Sequence, residues 1–184
     1  MVRPRVVASV LPLVLILAAV LATPAGAAYG LKRYENSTWI WYQPRSWSTA
    51  QGENGIDISS PGGREYVSHG FAGSAFPVTN DEVMEYVRNN SNPSLSNFRT
   101  IRRSAARTVG EITRVTYDWS ARRGDNRLAI RGFSQIDVFN GPYGFYYSGY
   151  LAPSSKWRSK KAMLKFMWKN TRYLPQGPTG GLDF

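Results

Sequence analysis

The side chains that most often carry out catalysis are sparse in this 184-residue chain. Cysteine is absent, which excludes a disulfide framework, a thiolate metal site and a cysteine nucleophile. His69 is the only histidine, so a Ser-His-Asp site would have to use it, and no serine has the glycine spacing of a nucleophile elbow. Zinc hydrolase motifs need histidine pairs and are excluded. His69 lies in a predicted strand, where we interpret it as a structural residue.

Three aspartates in predicted strands, Asp57, Asp118 and Asp137, are the remaining candidates for acid–base chemistry. A glycosidase needs two carboxyl groups that can be far apart in the sequence, so a small hydrolase with paired carboxylates stays open as an alternative. The stretches SPGGR and GPTGG lack the Gly-Lys-Ser/Thr ending of a phosphate-binding loop. Asp125 and Asn126 in RRGDNR lie beside arginines, which repel a cation. We therefore expect no cofactor and no metal.

Basic residues are concentrated near the C-terminus, where residues 156–174 contain seven lysines and arginines and no acid. A helical projection at about 100° per residue separates an apolar arc, which includes Trp157, Leu164 and Trp168, from a basic arc. The basic arc consists of Arg158, Lys161, Lys165, Lys169 and Arg172. We predict that the apolar arc packs against a sheet and that the basic arc faces solvent. Phe166, opposite the apolar arc, is predicted to be an exposed contact for a membrane or a partner.

A second basic group has the spacing of a strand. FRTIRRSAAR alternates so that Arg99, Arg103 and Arg107 are predicted to share one face, with Arg102 on the other face near Arg114. Such a row of cations is a candidate anion-binding ladder. The alternative is a solvated sheet edge with acidic counter-ions, because isolated surface charges contribute little to stability.

The net charge and the N-terminus narrow the class of partner. A formal charge of +11 favours contact with nucleic acid, anionic lipid or an anionic wall polymer. Arg3 and Arg5, then an apolar run to Ala22 and the small residues of AGA, form the three-part pattern of a secretory signal peptide. We predict cleavage before Ala28, which would leave no transmembrane span. An uncleaved anchor is the alternative. Secretion argues against nucleic acid as the natural partner.

The remaining patterns predict the elements that position these side chains. Thr79 and Glu82 have the spacing of a helical capping box, and this short helix divides two groups of strands. Strands are predicted over residues 38–43, 56–58 and 65–71 before the helix, and near 98–107, 111–121, 127–138 and 144–151 after it, as an antiparallel meander. The predicted organisation is a signal peptide (1–27), one α+β domain (28–175) and a flexible tail (176–184).

The element order and the motif W…Y.P..W…….GIDISSPGG…V..GF resemble the PsbP/Mog1-like superfamily, including small exported actinobacterial proteins of the LpqN type. The motif comprises Trp41, Trp47, residues 55–62 and Phe71. The resemblance implies an α/β/α sandwich, with helices on both faces of an antiparallel sheet, and a binding or scaffolding role without catalysis. The missing cysteine after the apolar run departs from the lipoprotein members.

These observations predict a secreted, non-enzymatic binding or accessory protein. Its partner is predicted to be an anionic lipid or wall polymer, or an unknown envelope protein, bound by the basic residues. Two alternatives remain: a cell-wall polymer hydrolase with paired carboxylates, and a cationic protein that acts on membrane surfaces with the C-terminal helix itself.

Overall fold

The computed structural model describes residues 26–52, 54–90, 94–124, 127–141 and 143–174. Nearly all of the predicted signal peptide and the whole of the predicted tail lie outside the described residues. Within the described ranges, the helices are α1 (Asn80–Asn89) and α2 (Trp157–Asn170), and the strands are β1 (Lys32–Glu35), β2 (Trp39–Gln43), β3 (Ser48–Gly52), β4 (Gly55–Ser59), β5 (Tyr66–Gly73), β6 (Leu95–Arg103), β7 (Arg107–Val109), β8 (Ile112–Arg123), β9 (Leu128–Asn140), β10 (Tyr143–Pro153) and β11 (Arg172–Tyr173).

The strands form two antiparallel sheets. The large sheet has eight strands in the order β3-β4-β5-β10-β9-β8-β6, and β7 also pairs with β8. The small sheet has the order β1-β2-β11. The long strands β8, β9 and β10 are consecutive in the chain and adjacent in the sheet, which is the predicted meander.

Helix α1 covers one face of the large sheet. Along β8 every second side chain is apolar, and Val115, Tyr117 and Trp119 are buried beneath Val83 and Met84 of α1. The helix begins at Thr79, where the predicted capping box is present. We call this side of the sheet the α1 face.

Helix α2 and the small sheet cover part of the opposite face, which we call the α2 face. Leu164 and Met167 are fully buried there, in one cluster with Trp39 of β2 and Val67 of β5. The fold is therefore an antiparallel sheet with helices on both faces, and the predicted α+β class is confirmed. No helix in the described ranges has the length and apolar character needed to cross a bilayer.

Some elements differ from the sequence predictions. The small sheet was not predicted, because β1 (KRYE) is mostly charged and β11 has only two residues. Strand β3 (STAQG) lies between two predicted strands and has no sequence signal of its own, because it lacks the alternation of apolar residues that marks a half-buried strand. The strand predicted over 98–107 is two strands, β6 and β7, separated by residues 104–106.

Candidate functional site

The α2 face carries a cluster of arginines where helix α2 does not cover it. Because Val115, Tyr117 and Trp119 point toward α1, the residues between them in β8 point the other way, and all of these are exposed or half-exposed. Directly opposite residues in neighbouring strands share a face, so the pairing assigns six arginines to this surface. We call it the open arginine face, and it consists of Arg99, Arg102, Arg107, Arg114, Arg122 and Arg131.

The strand pairing places these arginines in rows across the sheet. Arg99 lies opposite Ser120, which lies opposite Arg131. At the other end of β8, Arg107 lies opposite Arg114. Six arginines share the face with only two aspartates, Asp118 and Asp137, which leaves an excess of positive charge.

The prediction that Arg99, Arg103 and Arg107 share one face is wrong for Arg103. The pairing of β6 with β8 shifts between Thr100 and Arg102, and this bulge reverses the alternation. Arg103 therefore lies opposite Tyr117, on the α1 face. Arg99 and Arg107 share the α2 face, and Arg102, which was predicted on the other face, lies there with them.

On the α1 face, Arg103 forms a structural ion pair. Its guanidinium donates to both carboxylate oxygens of Asp81 at 3.0 and 3.1 Å, and the Tyr117 hydroxyl donates to the same carboxylate at 2.7 Å. These hydrogen bonds, from Arg103 first, lower the pKa of Asp81, and the bond to Asp81 raises the pKa of Arg103. Arg103 thus ties α1 to the sheet, and its charge already has a counter-ion.

Arg114 differs from its neighbours on the open arginine face. It donates Nε and Nη2 to the two carboxylate oxygens of Asp137 at 2.7 and 2.6 Å, and Asp137 is fully buried. This hydrogen bonding raises the pKa of Arg114. By contrast, Arg99, Arg102 and Arg107 form no ion pair with another described residue, and all three are exposed. Their charges are available to an external anion.

The basic arc of α2 adjoins the open arginine face at Trp157, where Lys161 of the helix and Arg131 of the sheet lie beside the same ring. The guanidinium of Arg131 lies 5.9 Å from the Trp157 ring centroid, and the ammonium of Lys161 lies 5.4 Å from it. Trp157 is itself buried against Tyr150, with which its ring stacks. Cations from the sheet and from the helix therefore meet at a fixed aromatic side chain, and we call the combined area the basic surface.

The basic arc is arranged largely as predicted. Arg158, Lys165 and Lys169 are exposed, whereas Lys161 is half-buried beside Trp157. Arg172 is exposed but lies in β11, because the helix ends at Asn170. The helix follows a 3-10 turn over residues 154–156, and no side chain caps its start.

The prediction that Phe166 is an exposed contact is wrong. Its ring packs against Tyr42 of the small sheet at 5.7 Å between centroids, and against Tyr29 at 5.7 Å. The small sheet, which was not predicted, covers this side of the helix. The apolar arc is packed as well, with Trp157 and Leu164 buried and Trp168 half-buried. Helix α2 therefore presents no apolar face to a membrane, which argues against the surface-active alternative.

The three aspartates do not form a catalytic pair. Asp57 lies on the α1 face, whereas Asp118 and Asp137 lie on the α2 face. Asp137 is held by Arg114, and Asp118 lies four residues farther along β8 than Arg114. The sheet thus separates Asp57 from the other two, and the geometry gives no support to a hydrolase built on these residues.

His69 is structural, as predicted. It is buried, its Nδ1 hydrogen-bonds the Tyr146 hydroxyl, and burial lowers its pKa to about 3. The imidazole is therefore neutral and enclosed in the core. Among the described residues, no cluster of three or more His, Cys, Asp or Glu side chains is placed to hold a metal ion.

A cavity of about 380 Å³ lies on the α1 face, beside the helix. Its floor includes a row of small or polar residues across four neighbouring strands. In this row Asp57 lies opposite Ser68, Ser68 lies opposite Gly149, and Gly149 lies opposite Ser134. Ser68 donates to Asp57 at 2.6 Å, and Ser134 accepts from the Trp119 indole at 3.0 Å. Sequence reasoning missed this cavity, because only the register brings these residues together. A glycine and short polar residues at inward strand positions were the available signal.

No protein-family model matches the chain, and neither does any curated protein. Three similar solved structures are each 12% identical to it. For CyanoP, a PsbP protein of Synechocystis sp. PCC 6803, the match covers 78% of this chain and 92% of that one, with a TM-score of 0.49. For PA94 of Pseudomonas aeruginosa, a protein of unknown function, the match covers 81% of this chain and 99% of that one, with a TM-score of 0.42. For LpqN, described as involved in cell envelope biogenesis of Mycobacterium tuberculosis, the match covers 79% of this chain and 91% of that one, with a TM-score of 0.44.

A PsbP protein and LpqN, the two kinds of protein that the sequence resembles, are both among these structures. At 12% identity and with TM-scores below 0.5, the likeness carries no argument about activity, ligand or partner.

Proposed function

We propose that this chain is an extracytoplasmic accessory protein that binds an anionic component of the cell envelope through its basic surface. The observation that carries the proposal is the open arginine face, where Arg99, Arg102 and Arg107 are exposed and form no ion pair with another described residue. A surface that served solubility alone would gain little from placing these three like charges on one face without counter-ions, because like charges repel.

The placement of the basic surface supports a binding role. Its arginines project from strands whose opposite side is packed under α1, and its lysines project from a helix packed on the sheet. The backbone positions of these cations are therefore fixed, so an anionic partner would have to order only their side chains on binding. The N-terminal pattern with Arg3 and Arg5 supports an extracytoplasmic location.

Two charge-matched variants of the chain that begins at Ala28 test the proposal. One replaces Arg99, Arg102 and Arg107 by Gln, and the other replaces Arg33, Arg45 and Arg64, three exposed arginines outside the basic surface. Both lose three charges, so any difference between them reflects position. Binding to the envelope fraction of the native cell, and to poly-L-glutamate as a model polyanion, is measured between 50 and 200 mM salt.

We expect the first variant to bind more weakly than the second by about tenfold or more at low salt. Its dependence of log K on log salt should also be shallower, by roughly one unit for each anionic group no longer contacted. Equal binding of the two variants would show that net charge alone drives association, and the basic surface would lose its role.

A further inference from the structure

The open arginine face and the basic arc differ in the type of cation they use. All six basic residues of the open arginine face are arginines, whereas the exposed cations of α2 are mostly lysines. Arginine presents a rigid planar fork that binds a two-oxygen anion through paired hydrogen bonds, whereas lysine acts as a point charge. The sheet therefore offers oriented recognition of individual anionic groups, and the helix offers general attraction.

The length of the open arginine face indicates how many anionic groups it contacts. The row at Arg114 and the row at Ser120 are six residues apart along β8, which corresponds to about 20 Å of extended strand. A single small anion cannot span this distance. An extended chain lying along β8 would meet arginines at both ends and at Arg102 between them.

Most side chains between the arginines are hydrogen-bonding groups. Thr116 and Ser120 of β8 and Gln135 of β9 lie on the same face. Arginine together with serine, threonine and glutamine is the set of side chains that contacts phosphate oxygens in phosphodiester backbones. No aromatic residue of β8 points to this face, because Tyr117 and Trp119 are buried under α1. Phe133 of β9 lies on this face opposite Asp118, but its ring packs against Tyr150 and Trp168, so it is not a free stacking platform. A single-stranded nucleic acid site would carry aromatic side chains on which bases stack.

From these observations we infer that the open arginine face binds a linear, base-free chain of phosphodiester groups that lies along β8. The inference rests on the proposed function and names the ligand class of the same surface. Asp118 lies directly opposite Arg102, and its negative charge repels the bound phosphodiester chain. Asp118 therefore limits affinity at the centre of the face.

The test uses poly(glycerol phosphate), a base-free phosphodiester chain, as the probe. Poly-L-glutamate of the same charge number, a single-stranded oligonucleotide and vesicles with anionic lipid are the comparators. The protein is the chain from Ala28 in three forms besides the wild type: Arg99→Lys/Arg102→Lys/Arg107→Lys, the matched control Arg33→Lys/Arg45→Lys/Arg64→Lys at exposed arginines outside the basic surface, and Asp118→Asn. The first two keep the charge, so they change only the shape of the cation.

We expect the wild type to bind poly(glycerol phosphate) about tenfold more tightly than the other three probes. The Arg→Lys variant should lose about tenfold in affinity for poly(glycerol phosphate) with little change in its salt dependence, because charge is retained and paired hydrogen bonds are lost. The matched control should bind as the wild type does, and Asp118→Asn should bind severalfold more tightly.

Three results would overturn the inference: equal binding of poly-L-glutamate, preference for the oligonucleotide or the vesicles, or unchanged affinity of the Arg→Lys variant. Equal binding of all polyanions, together with a loss in the Arg→Gln variant, would remove the phosphodiester assignment and leave the proposed function standing. No binding to any polyanion or to the envelope fraction would remove both.

Discussion

The packing of α2 on the sheet can be tested by replacing one side chain, Leu164. This leucine is fully buried among Trp39, Trp157 and Met167, at the centre of the core on the α2 face. In Leu164→Ala the chain loses the transfer free energy of the deleted atoms and keeps a cavity in their place, and such changes cost about 2–5 kcal/mol.

The surroundings of Leu164 place this cost above the lower end of that range. The indole of Trp157 is stacked on Tyr150, and Trp39 contacts Tyr173 edge-on, so neither ring is free to move into the space. We therefore expect a loss of about 3–4 kcal/mol in the free energy of unfolding. For a domain of this size, that corresponds to a decrease of roughly 10 °C in Tm.

The assay is urea unfolding of the wild type and Leu164→Ala, followed by tryptophan fluorescence. The midpoint should fall while the m value stays constant. Lys165→Ala, one position along the helix and exposed, is the control and should change stability by less than about 0.5 kcal/mol. A loss below about 1 kcal/mol for Leu164→Ala would refute the packing argument and restore the membrane-active use of the helix.

Four other outcomes are expected. Burial holds the pKa of His69 at about 3, against 6.5 when it is unfolded, so the unfolded chain binds more protons between these values. Stability should therefore fall by up to about 1.4 kcal/mol per pH unit from pH 6 to pH 4, and the fall should be shallower in His69→Asn, as urea titrations at each pH would show. Parallel pH profiles would contradict this. Gly132→Val should destabilise strongly by thermal unfolding, because a Cβ there would overlap the Trp119 ring, and a wild-type Tm would be inconsistent with this packing. Thr79→Ala removes the cap of α1 and should cost about 1 kcal/mol in chemical unfolding, whereas no change would mean that the cap is replaced by solvent. N-terminal sequencing of the secreted protein should begin at Ala28, and detection of Met1 on a membrane-bound product would contradict secretion.

The sequence by itself determined those features that depend on local periodicity. The capping box at Thr79, the strand near 111–121 and the apolar arc containing Leu164 were all recognisable, and the structure contains each of them. They could be predicted because the side-chain period of a strand or helix decides which residues share a face, whatever the rest of the fold does.

The tertiary structure decided how separate elements meet. The sequence indicated that Arg103 belongs with Arg99 and Arg107, but the bulge after Thr100 turns Arg103 toward Asp81 on the other face. A bulge depends on the pairing between two strands, and a period-two pattern along one strand does not reveal it.

Long-range packing also decided the rest of the candidate site. Arg131 and Lys161 are thirty residues apart in the chain, and they meet only because the stacking of Trp157 on Tyr150 brings the start of α2 to β9. Phe166 is covered because Tyr42 of β2 and Tyr29, more than a hundred residues earlier in the chain, pack against its ring. Local propensity does not predict either contact, because each depends on the free energy of burying surfaces from segments that are distant in sequence.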